Sequence, residues 1–185
     1  DNPHLPPDFI PRLEASYDPS LLAAYLQGEF TNLTTGQVYD RFDRAKHICY
    51  ELPDVSEEIL RIGVDFNIGN MSAVIGVRLG NSLLLIDEVS RAHDTDSLAQ
   101  EIRRRYPDRR IYVYPDASGA ARSTNASLTD ISILESYGFS NQSPRSNPRV
   151  TDRIHSVQAL MENGKGEVRL QVAAHCKRTI ECLEL

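Results

Sequence analysis

Cysteine is scarce in this chain and badly spaced for metal or disulfide work. Cys49, Cys176 and Cys182 form no C-x-x-C pair. An odd count makes a poor disulfide framework and points to a reducing compartment, and the missing pair argues against zinc. Long apolar runs are lacking too: none approaches the roughly 18 residues a membrane-spanning helix needs. The opening stretch, DNPHLPPDFIPRL, has neither the basic nor the apolar region of a signal peptide. It reads as a piece cut from something longer. Basic charge is not in excess either. Twenty Lys and Arg stand against 26 Asp and Glu, a formal net charge of −6. That excludes a histone-like tail or a generally basic coat. It leaves room for a local basic groove and for carboxylates gathered around metal ions. No G-x-G-x-x-G follows the first core strand and no G-x-S-x-G occurs, so a Rossmann dinucleotide site and a serine hydrolase are both unsupported.

What remains is an ordinary globular composition. The 185 residues are 41% apolar and 25% charged, which suits one domain with a small appendage. Residues 1–57 read as an N-terminal arm. Pro3, Pro6, Pro7 and Pro11 mark a linker or an arm laid over another surface. A short helix follows, capped by Asp18, with Pro19 at its first position, Leu21, Leu22, Tyr25 and Leu26 on its apolar side, and Gly28 at its end. Residues 37–42 suggest an extended or hairpin segment, and 51–57 a loop.

The organised core spans 58–185. LRIGVDF (60–66), MSAVIGVRL (71–79) and SLLLIDEVS (82–90) are three strands joined by tight turns, hence an antiparallel meander. Asp94 or Thr95 caps a helix carrying Leu98, Ile102 and Tyr106. IYVYP (111–115) is a fourth strand, apolar enough to be central. Leu128, Ile131, Leu134 and Tyr137 mark a helix ended by Gly138. Val150, Ile154, Val157 and Met161 mark another, stopped by Asn163-Gly164. VRLQV (168–172) is a short strand, and a last helix after His175 carries Cys176, Ile180 and Leu183 on one side. This is an α/β pattern: a mixed central sheet, three antiparallel strands plus parallel ones, flanked by helices.

Two carboxylates sit where chemistry is plausible on physical grounds. Asp65 ends the first core strand and Asp116 follows the fourth, each after an apolar run. If those strands pair in parallel, both acids reach one sheet edge. Two adjacent carboxylates repel unless a cation lies between them, and hard divalent ions prefer such oxygen ligands. The fitting reaction is metal-dependent hydrolysis of a phosphodiester. Either Asp alone is as readily a turn or cap acid.

GVDFNIGNMSAVIGV, VYPDASGAA and RVTDRIHSVQALMENGKGEVRLQV resemble the C-terminal nuclease domain of the large terminase subunit of tailed bacteriophages. YLQGEFTNLTTGQVYDRF resembles the stretch that follows the ATPase domain in such proteins. The resemblance implies a ribonuclease H-like (RNase H-like) fold and an endonuclease that cuts concatemeric viral double-stranded DNA during packaging in the host cytoplasm. It implies Mg²⁺ or Mn²⁺, two ions in a complete site, with Asp65 and Asp116 as catalytic metal ligands. It implies an ATPase domain from which residues 1–57 link, a small terminase subunit and a portal ring as partners, and no membrane. The family's third acid usually lies on a late helix in a D-H-x-x-D-A-like run. That run is absent here, so the third ligand looks truncated or replaced. Asp152 is the nearest spare acid on a late helix, although capping or an ion pair is the plainer account of it.

DNA contacts fall to Arg145, Arg149 and Arg153, spaced four apart, and to Arg122 after the Asp116 loop. Arg103, Arg104, Arg105, Arg109 and Arg110 read as a solvated helix end with a favourable dipole. Nothing in the linear sequence interleaves aromatics for strand stacking. Asp87 and Glu88 read as solvated edge residues, His155 and His175 as structural or surface residues, Cys49 and Cys182 as core packing. Two other readings stay open: a resolvase- or integrase-like nuclease outside packaging, and a non-catalytic DNA- or protein-binding fragment with an incomplete metal site.

Overall fold

The computed structural model describes residues 6–27, 38–67, 69–115, 129–144 and 146–185. Asp116, Arg122, Arg145, Gly28 and Leu128 lie outside the described residues. The elements run α1 Phe9–Ser16, α2 Pro19–Gln27, α3 Arg44–His47, β1 Ile48–Cys49, β2 Leu60–Asp65, β3 Met71–Leu79 and β4 Ser82–Ala92. After these come α4 Thr95–Arg105, β5 Ile111–Pro115, α5 Asp130–Ser136, β6 Ser140–Asn141, α6 Val150–Met161, β7 Leu170–Ala173 and α7 Lys177–Leu183. The described strands form one seven-stranded mixed sheet, in the order β1-β7-β4-β3-β2-β5-β6.

The meander forms as its turn residues dictate. β2, β3 and β4 pair antiparallel in sequence. Gly69 and Gly80 supply the left-handed backbone of the two turns, at φ +77° and +60°. β2 then pairs with β5 in parallel, Leu60 opposite Ile111 through to Val64 opposite Pro115. β5 is second from the edge, since the two-residue β6 flanks it.

Alternation sorts the side chains into two faces. On the inner face, Leu60, Ile62, Val64, Ile75, Val77, Ile111 and Val113 bury themselves against Leu98, Ala99 and Ile102 of α4 and Leu134 of α5. Asp94 caps α4 reciprocally: its carboxylate accepts from Ser97 N at 2.8 Å while Ser97 Oγ accepts from Asp94 N at 3.1 Å. On the outer face, a second cluster gathers Met161, Leu170, Val172, Cys176, Ile180 and Leu183, with Leu83 and Leu85 of β4.

The proline-rich start is helical from Phe9 and lies as an arm on the rest of the chain. Pro11 falls in the first turn of α1, where the missing N–H had no intrahelical acceptor to lose. α1 docks onto the α6–β7 turn: Gly164 N donates to Tyr17 O at 2.9 Å, and Asn163 Nδ2 and Arg169 Nη1 each donate to Ala15 O at 3.1 Å. A β-carbon at Gly164 would run into Leu22 and the backbone of Glu14, so this close approach requires glycine. Residues 38–41 form a turn, not a strand.

Asp18 secures this arm. It is fully buried. One carboxylate oxygen accepts from Ser20 N and Leu21 N at 3.0 and 3.1 Å, and the other meets His155 Nδ1 on α6 at 2.9 Å. Asp18→Ala removes a helix cap and strands His155, and is expected to cost about 2 kcal/mol in a urea unfolding series.

The cysteines divide differently from the sequence reading. Cys176 is the buried one, whereas Cys182 on α7 is exposed. Burial, reinforced by Glu88 and Asp87, pushes the Cys176 thiol up to about 12. A thiol reagent is therefore expected to modify Cys182 first and Cys49 next. Cys176 should react only on unfolding, an order that a mass-spectrometric time course would read.

Candidate functional site

Asp65 is the last residue of β2, and its side chain is exposed. The alternation that buries Ile62 and Val64 puts Asp65 on the outer face, opposite Ser72 of β3. Its carboxylate accepts one hydrogen bond, from Asn67 Nδ2 at 2.7 Å. Asn67 was not singled out from sequence, but the Asp-x-Asn spacing in DFN is a turn signal that contains it. The carboxylate makes no ion pair among the described residues, so its remaining lone pairs face solvent. Val64, its chain neighbour, is paired with Pro115, the chain neighbour of Asp116.

Asp87 and Glu88 are not solvated edge acids. A bulge in β4 decides where they go. Gly76 is opposite Leu85 and Ile75 is opposite Asp87, so Ile86 is extra and the parity of the strand flips there. Asp87 thereby joins the inner side, where its Oδ2 takes Arg105 Nη1 at 2.9 Å and the Tyr106 hydroxyl at 3.0 Å. Burial, then the Asp87 charge, raises the Tyr106 phenol above its usual range. Glu88 joins the outer face, which it shares with Asp65. It does not reach toward Asp65. Its carboxylate accepts from Arg178 N at 3.0 Å and from Thr179 N and Oγ1 at 2.7 Å each, closing the start of α7. Glu88→Ala should cost about 2 kcal/mol of unfolding free energy, measured by chemical denaturation, because it leaves three donors at α7 without their acceptor.

The other acids and bases are dispersed. Asp152 is exposed in the first turn of α6, whose N-cap residue is Arg149. Arg149 and Arg153 are both exposed at the start of the same helix, as the four-residue spacing implies. His155 is taken up by Asp18, and His175 is exposed. Among the described residues, no three His, Cys, Asp or Glu side chains gather where they could hold a metal ion.

The arginine run at the end of α4 is largely structural rather than solvated. Arg103 donates to the carbonyls of Tyr106, Pro107, Arg109 and Tyr137 at 2.8–3.3 Å and lies 4.9 Å over the Phe139 ring. Arg104 and Arg105 both bond Glu101 and hold its carboxyl down to about 2. Beside Ser72, an open and mostly apolar cleft of about 570 Å³ runs between the outer face of β3 and β4 and the helices α6 and α7.

The mixed sheet, the meander followed by a parallel strand, and the acid at the end of its first strand define an RNase H-like α/β architecture. Solved structures of similar fold include phage large terminases and large-terminase nuclease domains. A large terminase from a thermophilic bacteriophage matches all of the chain at a TM-score of 0.72 and 18% identity. The chain spans only 45% of the length of that terminase. The phage P22 large terminase nuclease domain matches 81% of the chain, and 78% of itself is covered, at 0.60 and 14%. The large terminase nuclease of the thermophilic phage G20c, determined with bound magnesium, matches 82% of the chain and 80% of itself, at 0.50 and 15%. No family model and no curated protein sequence matches the chain.

Proposed function

We propose that the chain is a nuclease domain of the large-terminase type, cleaving double-stranded viral DNA during packaging. The observation that carries this reading is the β2–β5 register. It sets Asp65 at the outer edge and pairs the residue before it with the residue before Asp116. The donor chemistry fits a hard divalent cation. Asp65 offers an exposed carboxylate with a single hydrogen bond, and Asp116 is the second oxygen ligand. Asn67 orients the Asp65 carboxylate and leaves its other oxygen free. When bound, Mg²⁺ or Mn²⁺ supplies Lewis-acid polarisation of the phosphodiester and a water acidic enough to attack at neutral pH. Asp152 is a weaker ligand candidate. Arg149 and Arg153 would take backbone phosphates, with Arg122 and Arg145 in the same role.

In this reading residues 1–57 link to an ATPase domain and residues 58–185 form the nuclease core. Its partners are double-stranded DNA, a small terminase subunit and a portal ring, and its site of action is the host cytoplasm. Among the described residues no helix is long and apolar enough to cross a membrane.

The dispersed acids support a second reading: a DNA- or protein-binding unit whose metal site is incomplete within these residues. A resolvase- or integrase-like nuclease would use the same carboxylates on branched DNA. Cleavage of supercoiled plasmid by the 185-residue chain, with Mg²⁺, Mn²⁺ or EDTA, separates the readings. The nuclease reading expects metal-dependent nicking that Asp65→Ala and Asp116→Ala each lower by about 100-fold or more while both variants stay folded. No cutting in any lane, with folding intact, selects the incomplete-site reading. Preference for a four-way junction over linear duplex selects the resolvase one.

A further inference from the structure

The outer face of β2 and β5 carries a basic and aromatic arrangement that the linear sequence hides. Arg61, Gly63 and Asp65 alternate along β2, and the parallel register sets Tyr112 beside Arg61 and Tyr114 beside Gly63. Arg61 lies 5.6 Å from the centre of the Tyr112 ring, and Arg110 lies 5.1 Å from the same ring. Tyr112 thus holds two guanidinium groups by its π-face, which fixes them without cancelling their charge. Arg61 also donates to the Tyr114 hydroxyl. Arg78 of β3 is held by the Gly80 carbonyl at 2.8 Å and, with Arg61, lines an open cleft of about 550 Å³.

Two features mark this face as a receptor for something anionic. First, Arg61, Arg78 and Arg110 meet no carboxylate among the described residues. Several arginines elsewhere do meet a carboxylate: Arg44 with Glu184, Arg105 with Asp87, Arg169 with Glu167 and Arg178 with Glu181. Second, the face is open in the middle of β2. A β-carbon placed on Gly63 would meet nothing within 4 Å. An apolar protein segment laid here would desolvate three unpaired guanidinium groups, which is costly. A sugar–phosphate backbone supplies the missing charge and can approach closely over Gly63.

We propose that this face is a track for one strand of a DNA duplex, leading its backbone to Asp65. Arg61 and Asp65 are four residues apart on one strand, about 13 Å at the usual rise. That is roughly four base steps of duplex at 3.4 Å each. Arg110, Arg61 and Arg78 grip phosphates behind the cleaved bond and set the register of the duplex on the protein, without reading sequence. The track rests on the nuclease reading, because it names where that site's substrate lies.

The test is equilibrium binding of a 30-base-pair duplex to the 185-residue chain, in EDTA so that no cleavage intervenes, across a salt series. The proteins are wild type, the triple variant Arg61→Ala, Arg78→Ala, Arg110→Ala, and the matching triple Lys variant. The track expects the Ala variant to bind at least tenfold more weakly, with its log affinity against log salt flatter by about 2 to 3. The Lys variant should recover most of that loss, which a merely structural role would not allow. A folded Ala variant that binds like wild type overturns the track and leaves the nuclease reading standing. Loss of thermal stability in the Ala variant with DNA affinity unchanged overturns it in favour of a structural role for the three arginines. A wild-type chain that neither binds nor cuts duplex overturns the nuclease reading, and the track with it.

Discussion

The parallel pairing of β2 with β5 is the constraint on which the rest depends. It joins the local meander to β5 and β6 on one side, as the β4–β7 pairing joins it to β7 and β1 on the other. Without it, β2 would be the edge strand of the sheet, and Asp65 would be one more turn acid. With it, β2 lies between a neighbour on either side, and its inner residues Leu60, Ile62 and Val64 are buried beneath α4. The pairing is non-local, spanning some fifty residues from Leu60 to Ile111, and α4 is the connection that closes the distance. The capping box at Asp94 and the arginine clamp at Arg103 fix the two ends of that connection.

The two faces of the sheet have different work. The inner face is closed by a continuous apolar layer whose largest members are wholly buried. Close-packed cores of this kind deform little, so the strands hold their register. The outer face is divided. Over β4 and β7 it is covered by α6 and α7, with Glu88 tying the start of α7 to the sheet. Over β2 and β5 it is open at Gly63, and Arg61, Arg110 and Asp65 make no ion pair among the described residues. A rigid platform with one polar face left open is what a bound polymer requires. Its backbone must be laid on fixed points while its sequence goes unread.

Much of this was legible residue by residue. The meander shows in its alternation and its glycine turns. Asp18, Asp94 and Gly138 stand where cap chemistry demands them, and Asp65 stands out as a charge closing an apolar run. The misses have physical causes. The two-residue strands β1 and β6 carry no periodicity at all, because partners far along the chain define them. α1 was hidden by Pro11, which disrupts a helix interior but not a first turn. Asp87 and Glu88 were misread because a single extra residue, Ile86, exchanges their faces, and neighbours on β3 alone reveal that. The Arg61–Tyr112–Arg110 stack joins residues some fifty positions apart, so no window along the chain contains it.

The net charge of −6 therefore misleads about the surface. Many of the acids are spent. Glu101, Glu162, Glu167 and Glu184 are each lowered from the ordinary carboxyl range by a hydrogen-bonded cation or amide, Asp18 closes a helix, and Glu88 closes another. Acids tied up in pairs contribute little field at a distance, since each is cancelled within a few ångströms. The arginines left over on the outer face are few, but nothing near them cancels their charge. Local pairing, not the sum over the chain, decides which surface an anion meets. Here it meets the face that ends at Asp65.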